Sequence, residues 1–270
     1  MMQKRPVADT GILVSPIGLG TVKLGRDIGV KYPHGFTIPD DQQALSLINL
    51  AKDLGINLID TAPAYGNSEE RLGTLLKGQR HDWVICSKVG EEFINGESSF
   101  HFDKASVIKS IDRSLQRLNT DYIDMVLAHS DGNDVDIIQR YEILDVLAEL
   151  KKSGKIRATG MSTKTVEGGL LAAEYSDCVM ATYNIAYTDE KPVLDYCADN
   201  NKAVLIKKAL ASGHLCLKEG EDPVKKSFDF IFQHPGVTSA IIGTINEGHL
   251  RGNIRKLTHT TIIKPNTYGT

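Results

Sequence analysis

Short apolar runs alternate with longer segments of helical periodicity eight times along this chain, and few folds accommodate that rhythm. The strand-like runs fall at 17–21, 57–62, 83–89, 122–129, 156–162, 178–184, 203–210 and 239–244. Between them, segments such as 40–54, 104–118, 137–152 and 223–233 carry apolar residues at the spacing of an amphipathic helix. Runs that are apolar at nearly every position belong to a parallel sheet covered by helices. Eight β–α units are the number that closes such a sheet on itself. The reading is therefore α/β: a single-domain (β/α)8 TIM barrel over 1–270, with an open doubly wound sheet as the alternative. Residues 7–15, centred on Thr10-Gly11, predict a short N-terminal β-hairpin capping the barrel floor.

The punctuation agrees. Asp40 and Asp41 precede the first periodic apolar residues of 40–54, offering cap acceptors and negative charge to the positive end of a helix. Gly55 and Gly154 follow the last periodic residues, as a left-handed C-cap requires. The longest irregular stretches, 22–39, 90–103 and 211–222, each follow a strand. In a barrel those loops form the C-terminal face, where active sites sit.

Composition narrows the function classes. A net charge of −3 gives no electrostatic footprint for nucleic acid or an acidic membrane. No apolar stretch approaches the roughly 18 residues that span a bilayer, and residues 1–10 lack the apolar region of a secretory signal. Cys86, Cys178, Cys197 and Cys216 are scattered without a Cys-x-x-Cys pair, so neither disulfides nor a metal are expected. The chain reads as a cytoplasmic enzyme. Nothing in the sequence sets its oligomeric state.

Ionisable residues at strand C-termini converge on one mouth of a barrel. The second strand ends in Asp60, with Tyr65 shortly after it; the third carries Lys88 near its end; the fourth ends in His129. Each alone has an ordinary structural reading. Lys88 is the exception, because an ammonium at the end of an apolar strand needs a partner, and Asp60 on the neighbouring strand supplies one. A phenol is a weak acid near neutrality unless a cation favours phenolate; Lys88 would be that cation. Tyr65 could then protonate a developing alkoxide as general acid, with His129 hydrogen-bonding the same oxygen. The missing electrons require a cofactor. No glycine-rich Rossmann fingerprint is present, so a dinucleotide would lie across the mouth. Gly160-Met161-Ser162-Thr163 and Gly243-Thr244-Ile245-Asn246 are suitable loops, the second leading into a helix whose amides could hold a phosphate.

Together these residues resemble the aldo-keto reductase superfamily over almost the whole chain. Leu58-Ile59-Asp60-Thr61-Ala62-Pro63-Ala64-Tyr65-Gly66 is similar to its most specific signature, and Ser87-Lys88, Leu127-Ala128-His129 and residues 154–162 follow in order. The resemblance implies that Asp60, Tyr65, Lys88 and His129 form a catalytic tetrad. It implies hydride transfer from NADP(H), in preference to NAD(H), to an aldehyde or ketone without a metal. It assigns the nicotinamide carboxamide to Ser162, and the adenosine 2′-phosphate and adenine to Thr244 and Asn253. Gly20, Thr21, Thr163, Lys207, Lys208, Leu210, Gly243 and His249 complete the expected cofactor site.

Four positions depart from the family pattern. Thr163 stands where asparagine is usual and Met180 where glutamine is common. Lys207 takes the place of the aromatic that stacks on nicotinamide, and could instead pair with the pyrophosphate. His249 replaces an arginine that grips the 2′-phosphate, beside Gly252 for glutamate. The short stretch beyond the last helix implies an open substrate mouth, walled by Tyr32, Phe36, Phe93, Phe100 and Phe102. The competing functions are a Schiff-base lyase using Lys88 or Lys207, an NADP(H)-binding redox sensor with little turnover, and an enzyme working toward alcohol oxidation.

Overall fold

The computed structural model describes residues 2–213, 222–260 and 262. Its first strands, β1 (Arg5–Pro6) and β2 (Leu13–Val14), pair antiparallel. Eight parallel strands then close into a barrel: β3 (Ile17–Gly20), β4 (Leu58–Asp60), β5 (Val84–Val89), β8 (Ile123–His129), β9 (Ile156–Ser162), β10 (Cys178–Thr182), β11 (Ala203–Lys207) and β12 (Val237–Ile242), which returns to β3. The open doubly wound alternative is ruled out by that closure. Around the barrel run α1 (Val22–Gly25), α2 (Asp41–Asp53), α3 (Ser68–Leu75), α4 (Lys104–Arg117), α5 (Asp134–Gln139), α6 (Ile143–Lys152), α7 (Val166–Tyr175), α8 (Lys191–Asp199), α9 (Pro223–Phe232) and α10 (Glu247–Thr258).

Strand periodicity divides the core into two layers. Leu58, Cys86, Met125, Leu127, Ala158, Cys178, Met180, Ala203 and Leu205 face inward and pack together. Their sequence neighbours Ile59, Ile85, Val126, Val179, Val204 and Ile206 face outward against the helices. The N-terminal hairpin closes the inner layer from below. Val7, Ile12 and Val14 join the inward cluster, while Gly11 adopts φ +74° at the turn. Three cysteines, Cys86, Cys178 and Cys197, are buried free thiols; Cys216 lies outside the described residues.

Two expectations about secondary structure are corrected. The single helix expected over 137–152 is two, α5 and α6, because Glu142 adopts a left-handed φ of +50° between them. The irregular loop at 90–103 contains a hairpin, β6 (Glu91–Ile94) and β7 (Glu97–Phe100). Its turn is Asn95-Gly96 with φ +55° and +86°, the mirror-image turn that suits the twist of two short strands. Of the third long loop, 214–221 lies outside the described residues, as do 261 and 263–270, where the short C-terminal stretch falls.

Candidate active site

The inward parity that builds the core also builds the mouth. Two residues beyond Leu58, Cys86, Leu127 and Leu205 on the same face stand Asp60, Lys88, His129 and Lys207, and Ser162 lies on that face of β9, four beyond Ala158. All five line one cavity of about 1450 Å³ at the C-terminal end of the barrel. Strand pairing carries the first three around adjacent positions, Asp60 opposite Cys86 and Lys88 opposite Leu127.

Lys88 and Asp60 are 2 % and 3 % exposed. The Lys88 Nζ donates to Asp60 Oδ1 at 2.5 Å and to the Thr61 carbonyl at 3.0 Å. Burial alone would lower the pKa of the ammonium, but Asp60 reverses this and pushes Lys88 well above its ordinary range. An ammonium held this firmly is no amine nucleophile. Tyr65 lies against the pair: its Oη is 3.5 Å from Asp60 Oδ2, and Lys88 Nζ stands 4.8 Å from its ring centroid.

The expected depression of the Tyr65 pKa by Lys88 is not found. Burial raises it, Lys88 lowers it, Asp60 raises it again, and the net direction is upward. The physical reason is that burial disfavours the phenolate more than Lys88 favours it, and Asp60 opposes the cation as well. Tyr65 is therefore a protonated donor throughout the neutral range.

Its position is braced by backbone. The loop after β4 turns back through Tyr65 N–H to the Ala62 carbonyl and Ser68 N–H to the Tyr65 carbonyl. Gly25 at the end of α1 abuts this turn so closely that a Cβ there would lie 2.3 Å from the Tyr65 carbonyl oxygen. Across the seam, Gly66 has φ +62°, and its Cβ would lie 2.0 Å from the Gly25 oxygen.

His129 has a partner that the strand-end pattern misses. Its Nδ1 lies 2.9 Å from Glu91 Oε2 on β6, too oblique to make a hydrogen bond. Glu91 also accepts from Ser98 Oγ at 2.7 Å. Burial would raise the Glu91 carboxyl, but His129, Ser98 and Arg26 outweigh it and bring it down to about 2. The Phe-Ile-Asn-Gly sequence is the available signal, since Asn-Gly between apolar residues marks a hairpin that folds Glu91 beside the strand end.

Most of the remaining expected residues line the same cavity: Gly20, Ser162, Thr163, Lys207, Lys208, Leu210, Gly243, Thr244, His249 and Asn253. Thr21 does not. It is fully buried, donating to the Asp60 carbonyl at 2.9 Å and accepting from Ser68 Oγ at 2.8 Å; it supports the tetrad from behind. Of the five aromatic residues expected as walls, Tyr32 and Phe36 line the cavity. Phe93 is instead stacked on Arg26, and Phe100 and Phe102 pack with each other beside Tyr141.

Lys207 is turned toward β9. Its Nζ donates to Ser162 Oγ at 3.0 Å and to the Thr163 carbonyl at 2.5 Å, so pairing with a pyrophosphate would mean leaving both. Burial lowers its pKa to about 8, against a smaller opposing pull from Glu190. Glu190 accepts from Thr182 N–H at 3.1 Å, and its Oε2 is buried without a hydrogen bond. At the outer end, Asn246 caps α10 by accepting from His249 N–H at 2.9 Å, and Lys256 adds a cation that sequence reading missed.

The cavity suits a large anionic ligand. Among the described residues Lys23, Lys31, Lys88, Lys164, Lys207, Lys208 and Lys256 line it, against Asp60 and Glu190 as the carboxylates, in a chain whose net charge is −3. Its size exceeds the usual upper range of about 1,000 Å³ for small-molecule pockets, and it runs from the tetrad to the cap of α10. Among the described residues no cluster of metal-ligating side chains occurs, and no helix is long and apolar enough to cross a membrane.

Comparison with known proteins follows the same direction. The aldo/keto reductase family profile matches residues 16–229. Aldo-keto reductase YhdN of Bacillus subtilis is 35% identical over 248 residues, 87% of this chain and 71% of its own. The NADH-specific methylglyoxal reductase of Escherichia coli is 33% identical over 230 residues, 79% of this chain and 69% of its own. Among solved structures, PA4992 of Pseudomonas aeruginosa, assigned to the aldo-keto reductases, is 54% identical with a TM-score of 0.86, covering 95% of each chain. Aldo-keto reductase AKR11C1 of Bacillus halodurans has the same fold, with a TM-score of 0.82 over 98% of this chain and 93% of its own at 24% identity.

Proposed function

The chain belongs to the aldo/keto reductase family, and on that footing we propose that Asp60, Tyr65, Lys88 and His129 perform its NAD(P)H-dependent reduction of small aldehydes and ketones. The observation that carries this reading is the buried Lys88–Asp60 pair lying against Tyr65 at the floor of a basic cavity. NAD(P)H, when bound, would supply the hydride for the carbonyl carbon. Tyr65 donates its phenolic proton as negative charge gathers on the oxygen. A developing alkoxide is a much stronger base than phenolate, so a phenol that is not yet acidic in the resting site suffices as the acid. Lys88 then stabilises the phenolate left behind, and Asp60 keeps Lys88 in place and charged. His129 fixes the orientation of the reacting oxygen from the opposite side.

We assign the nicotinamide end to Ser162, Thr163 and Lys207, beside the tetrad. The phosphate and adenosine end goes to Gly20, Lys208, Leu210, Gly243, Thr244, His249 and Asn253, with Lys256 added; Thr21 leaves the set. Lys256 and His249 near the cap of α10 favour NADP(H) over NAD(H), although the Escherichia coli relative is specific for NADH. The protein acts in the cytoplasm in this reading.

The test is one series. NADPH and NADH are titrated by fluorescence, then an aldehyde and ketone panel is run on wild type and Tyr65→Phe. Tyr65→Phe is expected to keep NADPH affinity and to lose carbonyl reduction by about 10²-fold or more, the scale of a positioned acid. Full residual activity would remove Tyr65 from its role. Tight NADPH binding with no turnover of any carbonyl would point to a cofactor-binding sensor instead, and equal affinity for the two cofactors would overturn the NADP(H) preference.

A further inference from the structure

We propose that the Lys207 ammonium makes this site prefer the reduced cofactor over the oxidised one, by holding an uncompensated positive charge at the end of the cavity that receives the nicotinamide. This rests on the assignment of Ser162 and Lys207 to the nicotinamide end. Loss of a hydride, which carries both electrons of a C–H bond to the carbonyl carbon, turns the neutral dihydronicotinamide into a pyridinium cation and leaves the rest of the dinucleotide unchanged. A charge beside the ring therefore separates two ligands that are otherwise nearly alike, whereas a charge beside the phosphates binds both equally.

The two lysines at the floor differ in how their charge is answered. Lys88 is in contact with Asp60, so that pair contributes little net charge. Lys207 donates only to uncharged acceptors, Ser162 Oγ and the Thr163 carbonyl. Glu190 is the carboxylate that pulls on it most, yet Glu190 bonds Thr182 N–H, and its Oε2 makes no hydrogen bond among the described residues. Asp134 also favours the ammonium, but it is engaged by Ser130 Oγ and by the Lys164 and Thr165 N–H groups; Lys208 and Lys164 oppose it, and burial opposes it most. The Lys207 side chain is partly exposed where it borders the cavity, and its charge is felt at His129, which places it at the tetrad end. Repulsion between two unit charges in a site of protein-like dielectric is worth about tenfold in affinity or more. It grows as the hydride leaves, so it acts against the chemical step and in favour of releasing the oxidised cofactor. In a mixture of the two forms, the site fills with the hydride donor.

Binding measured without a carbonyl substrate tests this. Kd for NADPH and for NADP+ is determined by calorimetry on wild type, Lys207→Met and Lys207→Arg. At pH 7 Lys207→Met should lower the ratio of the NADP+ Kd to the NADPH Kd by about tenfold, mainly by tightening NADP+, while Lys207→Arg keeps the ratio. Lys207 titrates at about 8, so the wild-type ratio should also fall between about pH 7 and 9.5, as the ammonium loses its proton and NADP+ binds more tightly; in Lys207→Arg it should stay flat. Titration of the 2′-phosphate cancels in this ratio, and the tetrad stays out of the window, with His129 below its ordinary pKa and Lys88 and Tyr65 above theirs. Equal weakening of both forms in Lys207→Met would mean that Lys207 grips the pyrophosphate, and overturns the proposal, as does a wild-type ratio that ignores pH. The wild-type pH series decides even if a variant folds poorly. If neither form binds wild type at all, the cavity is no dinucleotide site, and the function proposed above fails together with this inference.

Discussion

A lysine in the floor of this cavity carries a measurable cost. Lys207 titrates at about 8 because it is buried, whereas an unfolded lysine titrates near 10.4. The folded state therefore binds its proton less readily, which penalises folding fully below pH 8 and releases the penalty as pH rises from 8 toward 10.4. Lys207→Met is expected to stabilise the protein by about 1–2 kcal/mol at pH 7, after allowing for the lost bonds to Ser162 and the Thr163 carbonyl. Denaturant unfolding at pH 7 and pH 10 checks this: the gain should shrink at the higher pH. A natural chain that keeps such a group at the mouth has a use for its charge. Lys88 behaves oppositely, since Asp60 more than offsets its burial. That pairing was legible beforehand, because an apolar strand ending in lysine needs a counter-charge. The hold of Ser162 on Lys207 and of Glu91 on His129 was not, because both join residues far apart in sequence whose approach depends on how the barrel closes.

At the level of elements, strand ends were legible to within a few residues because inward and outward positions alternate strictly around a closed sheet. What escaped was backbone of unusual sign. The periodicity of 137–152 continues through Arg140-Tyr141-Glu142, and nothing in it announces a left-handed residue. Glu142 is exposed and caps α6 in that conformation with no side-chain cap bond. Glycine adopts the same φ without the Cβ clash, so Glu142→Gly should stabilise the fold by about 0.5–1 kcal/mol and leave turnover unchanged. A chemical melt paired with an activity assay tests both halves. The missed hairpin of β6 and β7 differs, because Asn95-Gly96 was a readable turn obscured by the expectation of an irregular loop.

Across the whole molecule, charge is distributed against the average. The chain is acidic overall, yet among the described residues the lysines around the mouth greatly outnumber the carboxylates. Such a field concentrates anions from a distance and is weakened by salt, since the screening length falls from about 10 Å at 0.1 M to about 3 Å at 1 M. Raising salt from about 0.05 to 0.5 M should therefore weaken NADPH binding severalfold while leaving KM for an uncharged aldehyde nearly unchanged; titration and kinetics at the two salt levels separate the effects. The facing glycines, Gly25 and Gly66, have a different kind of reach. They weld the root of the 22–39 loop, whose Tyr32 and Phe36 wall the cavity, to the turn that carries Tyr65. Variation farther out on that loop can reshape what the enzyme accepts without disturbing its acid, whereas any side chain at the weld would move pocket and acid together. Divergence of specificity in chains built this way is thus channelled to the loop tip, with the root inherited as a fixed joint.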